Sequence, residues 1–358
     1  MATQFLTEDL YSASTPDYSF DDTDSYCEKS SVREFAAYVL PPIYWCVFVL
    51  GLLGNVLIII IYINYRRLKT MTDTYLINLA IADLLFLMTL PFWAIASSHN
   101  WIFGPVHCKI VNSIYTINVY SGMLLLACIS VDRYIAIVQA AKAQKYRNRR
   151  IIFSKFVCLS VWILATVLSL PEILFSNIKE GSFHKFCTIS YPIKLGKALK
   201  VMVITLKVTM AFCIPFLIMI FCYAMIIPTL AQARNYQKHK ALKVIFAVLA
   251  VFVLSQVPYN SVLIVRVSDA ANALISTCTT SRNIDIAYKV TQSIAFLHCC
   301  LNPFIYVFVG VKFREDLFKM LNKYSCFSEN KWFNRLRFEN KTNIPSEIQD
   351  TKMGTLSL

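Results

Sequence analysis

Residues 126–138 read LACISVDRYIAIV and close a run, Ile110–Val131, of 22 residues without a charged side chain. An Asp132–Arg133 pair at the end of such a run is explained if the run lies in lipid and the pair at its edge. A helix needs about 20 apolar residues to cross the hydrocarbon core, and charges within that core are costly and usually functional. Outward from this stretch, six more runs have the same character: Val39–Ile63, Thr74–Ser98 broken only by Asp83, Phe156–Ile178 broken only by Glu172, Val208–Ala233, Val244–Val265 and Val290–Val311. Lipid offers backbone groups no hydrogen-bond partner, so the spans must be helices. No alternating strand pattern competes. The expected fold is an all-α membrane protein, a seven-transmembrane helix bundle with a short amphipathic eighth helix. Residues 1–38 form an acidic N-terminal segment, 39–311 the bundle, 312–325 the eighth helix and 326–358 a cytoplasmic tail.

Composition agrees. Of 358 residues, 57% are hydrophobic and 16% charged, whereas soluble domains carry roughly 25% charged residues. The net charge of +14 comes from short basic clusters between apolar runs, which fits membrane topology and not a nucleic-acid surface. With the N-terminus outside, loops 64–73, 139–155 and 234–243 hold 13 Lys/Arg in 37 residues, against 9 in 66 for loops 97–109, 172–200 and 266–289. The denser set belongs in the cytoplasm. Residues 1–30 lack an apolar core, so the first span is expected to act as its own insertion signal. Internal repeats and glycine-broken helices, which would mark a transporter, are not seen. Neither is a metal motif or a nucleophile–base pair, so the chain reads as no enzyme.

Twelve cysteines do not make a disulfide framework, because most lie within spans. Four fall on the outer face: Cys27, Cys108, Cys187 and Cys278. An even number in an oxidising compartment suggests two bridges. Of three pairings, Cys108–Cys187 with Cys27–Cys278 is favoured, tying the long outer loop to the third span and the N-terminal segment to the seventh. Cys326, after a basic amphipathic stretch, fits palmitoylation at the inner leaflet. Residues 1–34 hold eight acidic and two basic residues. Tyr11, Tyr18 and Tyr26 are candidate sulfation sites there, and with Asp17, Asp21, Asp22 and Asp24 they make a docking arm for a basic protein. Mid-span, Asp83 needs a partner, water or an ion; Asn118, Asn302 and His298 lie at similar depth, and the oxygen ligands of Asp83, Asn118 and Asn302 suit Na⁺. Pro91, Pro171, Pro215, Pro258 and Pro303 punctuate the spans, the last two as pivots for a switch. Asp132 and Arg133 lie at the inner mouth and are expected to pair with each other at rest, with Tyr223 and Tyr306 nearby.

These stretches together resemble the rhodopsin-like (class A) G-protein-coupled receptors over residues 36–325: GNVLI (54–58), NLAIADLLF (78–86), Cys108, DRYIAIV (132–138), Trp162, Pro215 with Tyr223, and NPFIY (302–306). Within that family, TLPFWA (89–94), KHKALKVI (238–245), HCCLNPFIYVFVG (298–310) and the four outer cysteines resemble the CC chemokine receptors. YCEKSSVREFA (26–36) and VFVLSQVPYN (251–260) resemble the type-nine members of that subfamily.

The resemblance implies a plasma-membrane receptor for a CC chemokine, thymus-expressed chemokine, coupled to an inhibitory-type heterotrimeric G protein and driving chemotaxis and calcium mobilisation. Arrestin, receptor kinases and membrane lipid are further implied partners. It places the ligand pocket at Tyr44, Trp93, Tyr115, Lys207, Tyr259, Arg266, Asp285, Tyr288 and Gln292. Coupling and switching fall to Asp132, Arg133, Tyr134, Tyr223, Pro258, Asn302, Pro303 and Tyr306. Thr70, Asp73, Val244, Tyr306, Lys312 and Phe313 match an inner-face antagonist pocket. The alternatives are a scavenging chemokine receptor without signalling and a class A receptor for another peptide. Gln256 stands where the family has a switch Trp, Gln292 where it often has an acid, and Gly122 where many members have a Ser near the sodium site. The resemblance therefore carries neither a Trp toggle nor a carboxylate contact in span seven onto this chain.

Overall fold

The computed structural model describes residues 30–66, 70–140, 145, 147–180, 185–192, 196–231, 236–272, 277–309 and 311–324. The first span is the helix Ser30–Ile61, continued by a π-helical turn, Tyr62–Arg66. The second is Met71–Leu87 followed by Leu90–Ser98, and the third is Gly104–Val138. The fourth is Arg147–Leu168 followed by Leu170–Phe175. The fifth runs Gly196–Val208, a π-turn Thr209–Cys213, then Ile214–Ala231. The sixth is Tyr236–Asn272, the seventh Cys278–Val309, and a helix of 14 residues, Val311–Tyr324, follows. Among the described residues, five helices are long and apolar enough to cross a membrane by length and composition. The sixth and seventh carry the remaining uncharged runs, completing the expected seven.

Apolar contact between spans makes the core. Tyr75, Leu79, Met123, Leu126, Cys158, Val161, Met219 and Ile226 join spans two to five. Tyr44, Phe86, Leu90, Phe296 and Cys299 join spans one, two and seven in the outer half. Leu53, Ile63, Phe156, Leu174, Leu217 and Leu254 are exposed; an outer surface this apolar belongs in hydrocarbon rather than in water.

The prolines shape the spans as their chemistry requires. A proline has no N–H and frees the carbonyl four residues earlier. Before Pro91 the second span breaks, and Thr89 Oγ1 donates to the Phe86 carbonyl at 2.6 Å. Before Pro171 the fourth span breaks, and Ser169 Oγ donates to the Ala165 carbonyl at 2.7 Å. Pro258 and Pro303 sit inside continuous helices. Pro303 frees the Cys299 carbonyl, and Asn55 Nδ2 of the first span donates to it at 2.9 Å and to the Gly51 carbonyl at 2.9 Å. Gly54 permits the approach: a Cβ there would lie 2.7 Å from Pro303 Cβ and 2.8 Å from its Cγ. Deeper in the bundle, Trp162 Nε1 donates to Asn78 Oδ1 at 2.9 Å, joining spans four and two.

The outer end departs from the sequence reading. The fourth span was expected to reach Ile178, but its helix stops at Phe175 and the chain becomes a β-hairpin. Strand β1 (Ser176–Glu180) pairs antiparallel with β2 (Lys185–Ile189), Ile178 opposite Cys187. Five-residue strands of mixed polarity are too short to show a period. Across the hairpin, the Lys185 ammonium holds the Glu180 carboxyl below its usual range. The Cys108–Cys187 disulfide pins β2 to the third span. Cys278 is also disulfide-bonded, while Cys27 lies outside the described residues.

Asn55→Ala removes the donor to the Cys299 carbonyl and should cost about 1–3 kcal/mol, the penalty for an unsatisfied buried acceptor. Gly54→Val should lower stability further by forcing the first span off Pro303. Thermal unfolding of the detergent-purified protein checks both; unchanged midpoints would remove this contact from the account.

Candidate functional site

At the outer end, the sequence-predicted pocket residues form one connected cluster. Tyr115 and Tyr259 hydroxyls lie 2.9 Å apart, linking spans three and six. The Tyr259 and Tyr288 rings are 5.8 Å apart, and Gln292 Nε2 donates to the Tyr288 hydroxyl at 3.3 Å. The Arg266 guanidinium lies 4.3 Å from the Tyr288 ring centre and 3.5 Å from Asp285. Phe296 stands between Tyr44 and Tyr115, at 5.7 and 5.5 Å. Trp93 packs on the same apolar cluster, its buried Nε1 without a hydrogen-bond partner among the described residues. Aromatic walls with a few fixed polar groups are the usual make-up of a ligand cavity.

The wall between spans three, four and five holds a charge pair whose acidic half the sequence reading had not placed in the pocket. Lys207 Nζ lies 2.9 Å from Glu172 Oε1, 3.4 Å from Thr116 Oγ1 and 5.5 Å from the Tyr115 ring centre. The Lys207 and Glu172 side chains are 13% and 2% exposed, so the pair is out of water. Glu172 Oε2 is buried and has no hydrogen-bond partner among the described residues. The signal for Glu172 was present: like Asp83, it is a lone carboxylate in an apolar run.

At the inner end the structure corrects an expectation. Asp132 does not pair with Arg133. Arg150 Nη2, from the start of span four, lies 2.6 Å from Asp132 Oδ1, and the Thr72 hydroxyl of span two donates to the other oxygen. Adjacent residues on a helix do not face each other, so partners from neighbouring helices reach Asp132 more directly. Arg133 has no ion pair among the described residues; one helical turn earlier, Ser130 Oγ lies 3.0 Å from the Tyr223 hydroxyl of span five. Tyr134 accepts from Gln139 Nε2 at 3.3 Å.

Of the inner-face residues, Thr70 and Asp73 form a reciprocal cap on the second span. Asp73 N–H donates to Thr70 Oγ1 at 3.1 Å and Thr70 N–H to Asp73 Oδ2 at 2.9 Å. Phe313 is buried against Ile58, Ile61, Tyr62 and Leu76. The side chains of Val244, Tyr306 and Lys312 lie outside the described residues, as do Tyr11, Tyr18, Tyr26, Asp17, Asp21, Asp22, Asp24 and Cys326. Midway through the bundle, Asn118 Nδ2 and Asn302 Nδ2 each donate to Asp83, both at 3.2 Å.

The family described as 7 transmembrane receptor (rhodopsin family) matches residues 54–306. Human C-C chemokine receptor type 9 is 53% identical over 357 residues, covering 99% of this chain and 97% of its own. Human C-C chemokine receptor type 7 is 47% identical over 322 residues, 88% of this chain and 85% of its own. Bovine atypical chemokine receptor 4 is 37% identical over 355 residues, 99% of this chain and 97% of its own.

The chain belongs to the chemokine receptors of the rhodopsin family. It is thus a multi-pass plasma-membrane receptor and no enzyme, and its class of ligand is a chemokine. The aromatic cluster and the Asp132–Arg150 clasp lie toward opposite ends of the same third helix.

Lys207→Met strands the buried Glu172 carboxylate and should destabilise the receptor by about 3–5 kcal/mol. Adding Glu172→Leu should recover most of that loss, because the stranded charge and not the missing contact carries the cost. Thermal unfolding of the two variants decides it; a double variant no more stable than Lys207→Met would contradict the pairing.

Proposed function

We propose that the chain is a signalling receptor for a CC chemokine, thymus-expressed chemokine, and that it activates an inhibitory-type G protein to drive chemotaxis and calcium mobilisation. The N-terminus lies outside the cell and the tail in the cytoplasm. The observation that carries this reading is at the inner end. Asp132 is engaged by Arg150 and Thr72, and Arg133 has no acidic partner among the described residues, which leaves its guanidinium for an intracellular protein.

Ligand capture proceeds in two steps. The acidic arm draws in a basic chemokine by opposite charge, which raises the encounter rate more than the final affinity. The chemokine's N-terminus then enters the aromatic cavity around Tyr115, Tyr259 and Tyr288. Contacts that fit the active arrangement better shift an existing equilibrium toward it. Pro258 and Pro303 are the pivots, and the opened inner face admits the G protein beside Arg133. Phosphorylation of tail serines and threonines by receptor kinases then adds charge that attracts arrestin.

The likeness to atypical chemokine receptor 4 supports a second reading, a receptor that binds and removes chemokine without signalling. One experiment separates the two. Purified receptor in lipid nanodiscs, with purified inhibitory-type G protein, is challenged with a panel of CC chemokines while nucleotide exchange is followed. Exchange in response to thymus-expressed chemokine, lost in Arg133→Ala while binding is kept, supports signalling. Binding without exchange across the panel supports scavenging and overturns the first reading.

A further inference from the structure

The outer face carries a charge that the two-step capture leaves unexplained. Lys179 of β1 and Lys197 and Lys200 at the start of span five are exposed, and none has an ion pair among the described residues. Lys185 of β2 is exposed too, and Glu180 holds it at 2.7 Å. Like charges brought together across an interface slow encounter and suppress binding. A basic ligand therefore meets repulsion here unless something acidic covers these ammonium groups.

The contacts around the hairpin show which acidic segment lies nearest. Ser98 Oγ donates to the Ala37 carbonyl at 3.3 Å, which sets the end of span two against the N-terminal helix. A few residues on, Asn100 Oδ1 accepts from the Lys185 N–H at 3.3 Å, and the Trp101 N–H donates to the Lys185 carbonyl at 2.8 Å. The turn end of the hairpin thus reaches the root of the N-terminal segment, and Lys179, opposite Phe186, stands next to Lys185 in the ladder. At the base of the hairpin, Gly196 lies beside Tyr191, where an added Cβ would be 3.7 Å from Tyr191 Cβ. Lys197 and Lys200, three residues apart and so on one helix face, continue the lysines of the hairpin toward span five. The N-terminal helix rises about 10 Å from Ala37 to Ser30, at about 1.5 Å per residue. Before it, residues 1–29 hold seven acidic residues against Lys29 alone. Asp17, Asp21, Asp22 and Asp24 lie 6 to 13 residues before Ser30. An extended chain covers about 3.5 Å per residue, so these aspartates have a reach of about 20–45 Å from the helix start.

We propose that residues 17–24 dock, in the ligand-free receptor, on Lys179, Lys197 and Lys200, and that a basic chemokine must win the same aspartates from these lysines. The partner of the basic outer surface is the chain's own acidic segment. Its tether gives an effective concentration of the order of millimolar. Single exposed ion pairs are weak and screened by salt, so the segment is held and yet exchangeable for a ligand. The docking requires only that hairpin and N-terminal helix share one end of the bundle, whereas its consequence for ligand capture rests on the two-step reading above.

Zero-length carbodiimide cross-linking of the full-length receptor in nanodiscs, read by peptide mass spectrometry, tests the docking, with Glu180–Lys185 as the internal control. The expected result is amide cross-links from residues 17–24 to Lys179, Lys197 or Lys200, reduced severalfold in about 1 M sodium chloride, where the screening length is about 3 Å. The control cross-link without any between the segment and these lysines overturns the proposal. Heparin retained by the wild type and lost in Lys179→Gln/Lys197→Gln/Lys200→Gln, with no such cross-links, would assign the surface to a sulfated glycan and overturn it equally. The second measurement is the association rate of thymus-expressed chemokine. The triple lysine variant should raise it severalfold, and by clearly less when Asp17, Asp21, Asp22 and Asp24 are all asparagine. An equal gain in both backgrounds reports simple repulsion and overturns the proposal. Absence of binding by that chemokine would count against the two-step reading, and the cross-links would still decide the docking.

Discussion

The constraint on which this structure depends is the lack of hydrogen-bond partners in the hydrocarbon core. A polar group placed there must be satisfied from within the bundle, and this rule decides where the helices touch. Pro303 frees the Cys299 carbonyl, Asn55 reaches across to take it, and Gly54 has no side chain to prevent the approach. Trp162 and Asn78 join spans four and two in the same way. Serine and threonine hydroxyls turn back on their own helices beside Pro91 and Pro171. Every one of these contacts removes a polar group from lipid, and those of Asn55 and Trp162 also fix the relative height of two spans.

Charges follow the same rule with larger stakes. Glu172 and Lys207 neutralise each other in the outer wall, and Asp132 and Arg150 do so at the inner end. Both pairs border the third span, through Thr116 beside Lys207 and through Asp132 itself. The third helix thus carries a buried charge contact near each end.

Much of the fold was legible in the sequence, because a run of uncharged residues long enough to span a bilayer is a signal that needs no knowledge of partners. Cys108–Cys187 was legible as a favoured pairing, and the aromatic pocket residues do come together. What remained hidden required the third dimension. Asp132 looked like the partner of its neighbour Arg133, but the helix turns them apart and Arg150, 18 residues on, fills the place. Glu172 was visible as a carboxylate in an apolar run, but its partner lies 35 residues further along the chain. The hairpin at 176–189 was missed because its strands are too short and too mixed in polarity to show a period. Thr70 and Asp73, matched to an inner pocket, are joined in a helix cap whose Thr-x-x-acid spacing could have been read directly.

An odd number of crossings puts the two ends of the chain on opposite sides of the membrane, and the orientation proposed from the density of Lys and Arg has the N-terminus outside. Different epitope tags at the two ends, stained on intact and then on permeabilised cells, test this directly. The account predicts that the N-terminal tag is stained on intact cells and the C-terminal tag only after permeabilisation. Staining of both tags on intact cells, or of neither, would contradict it.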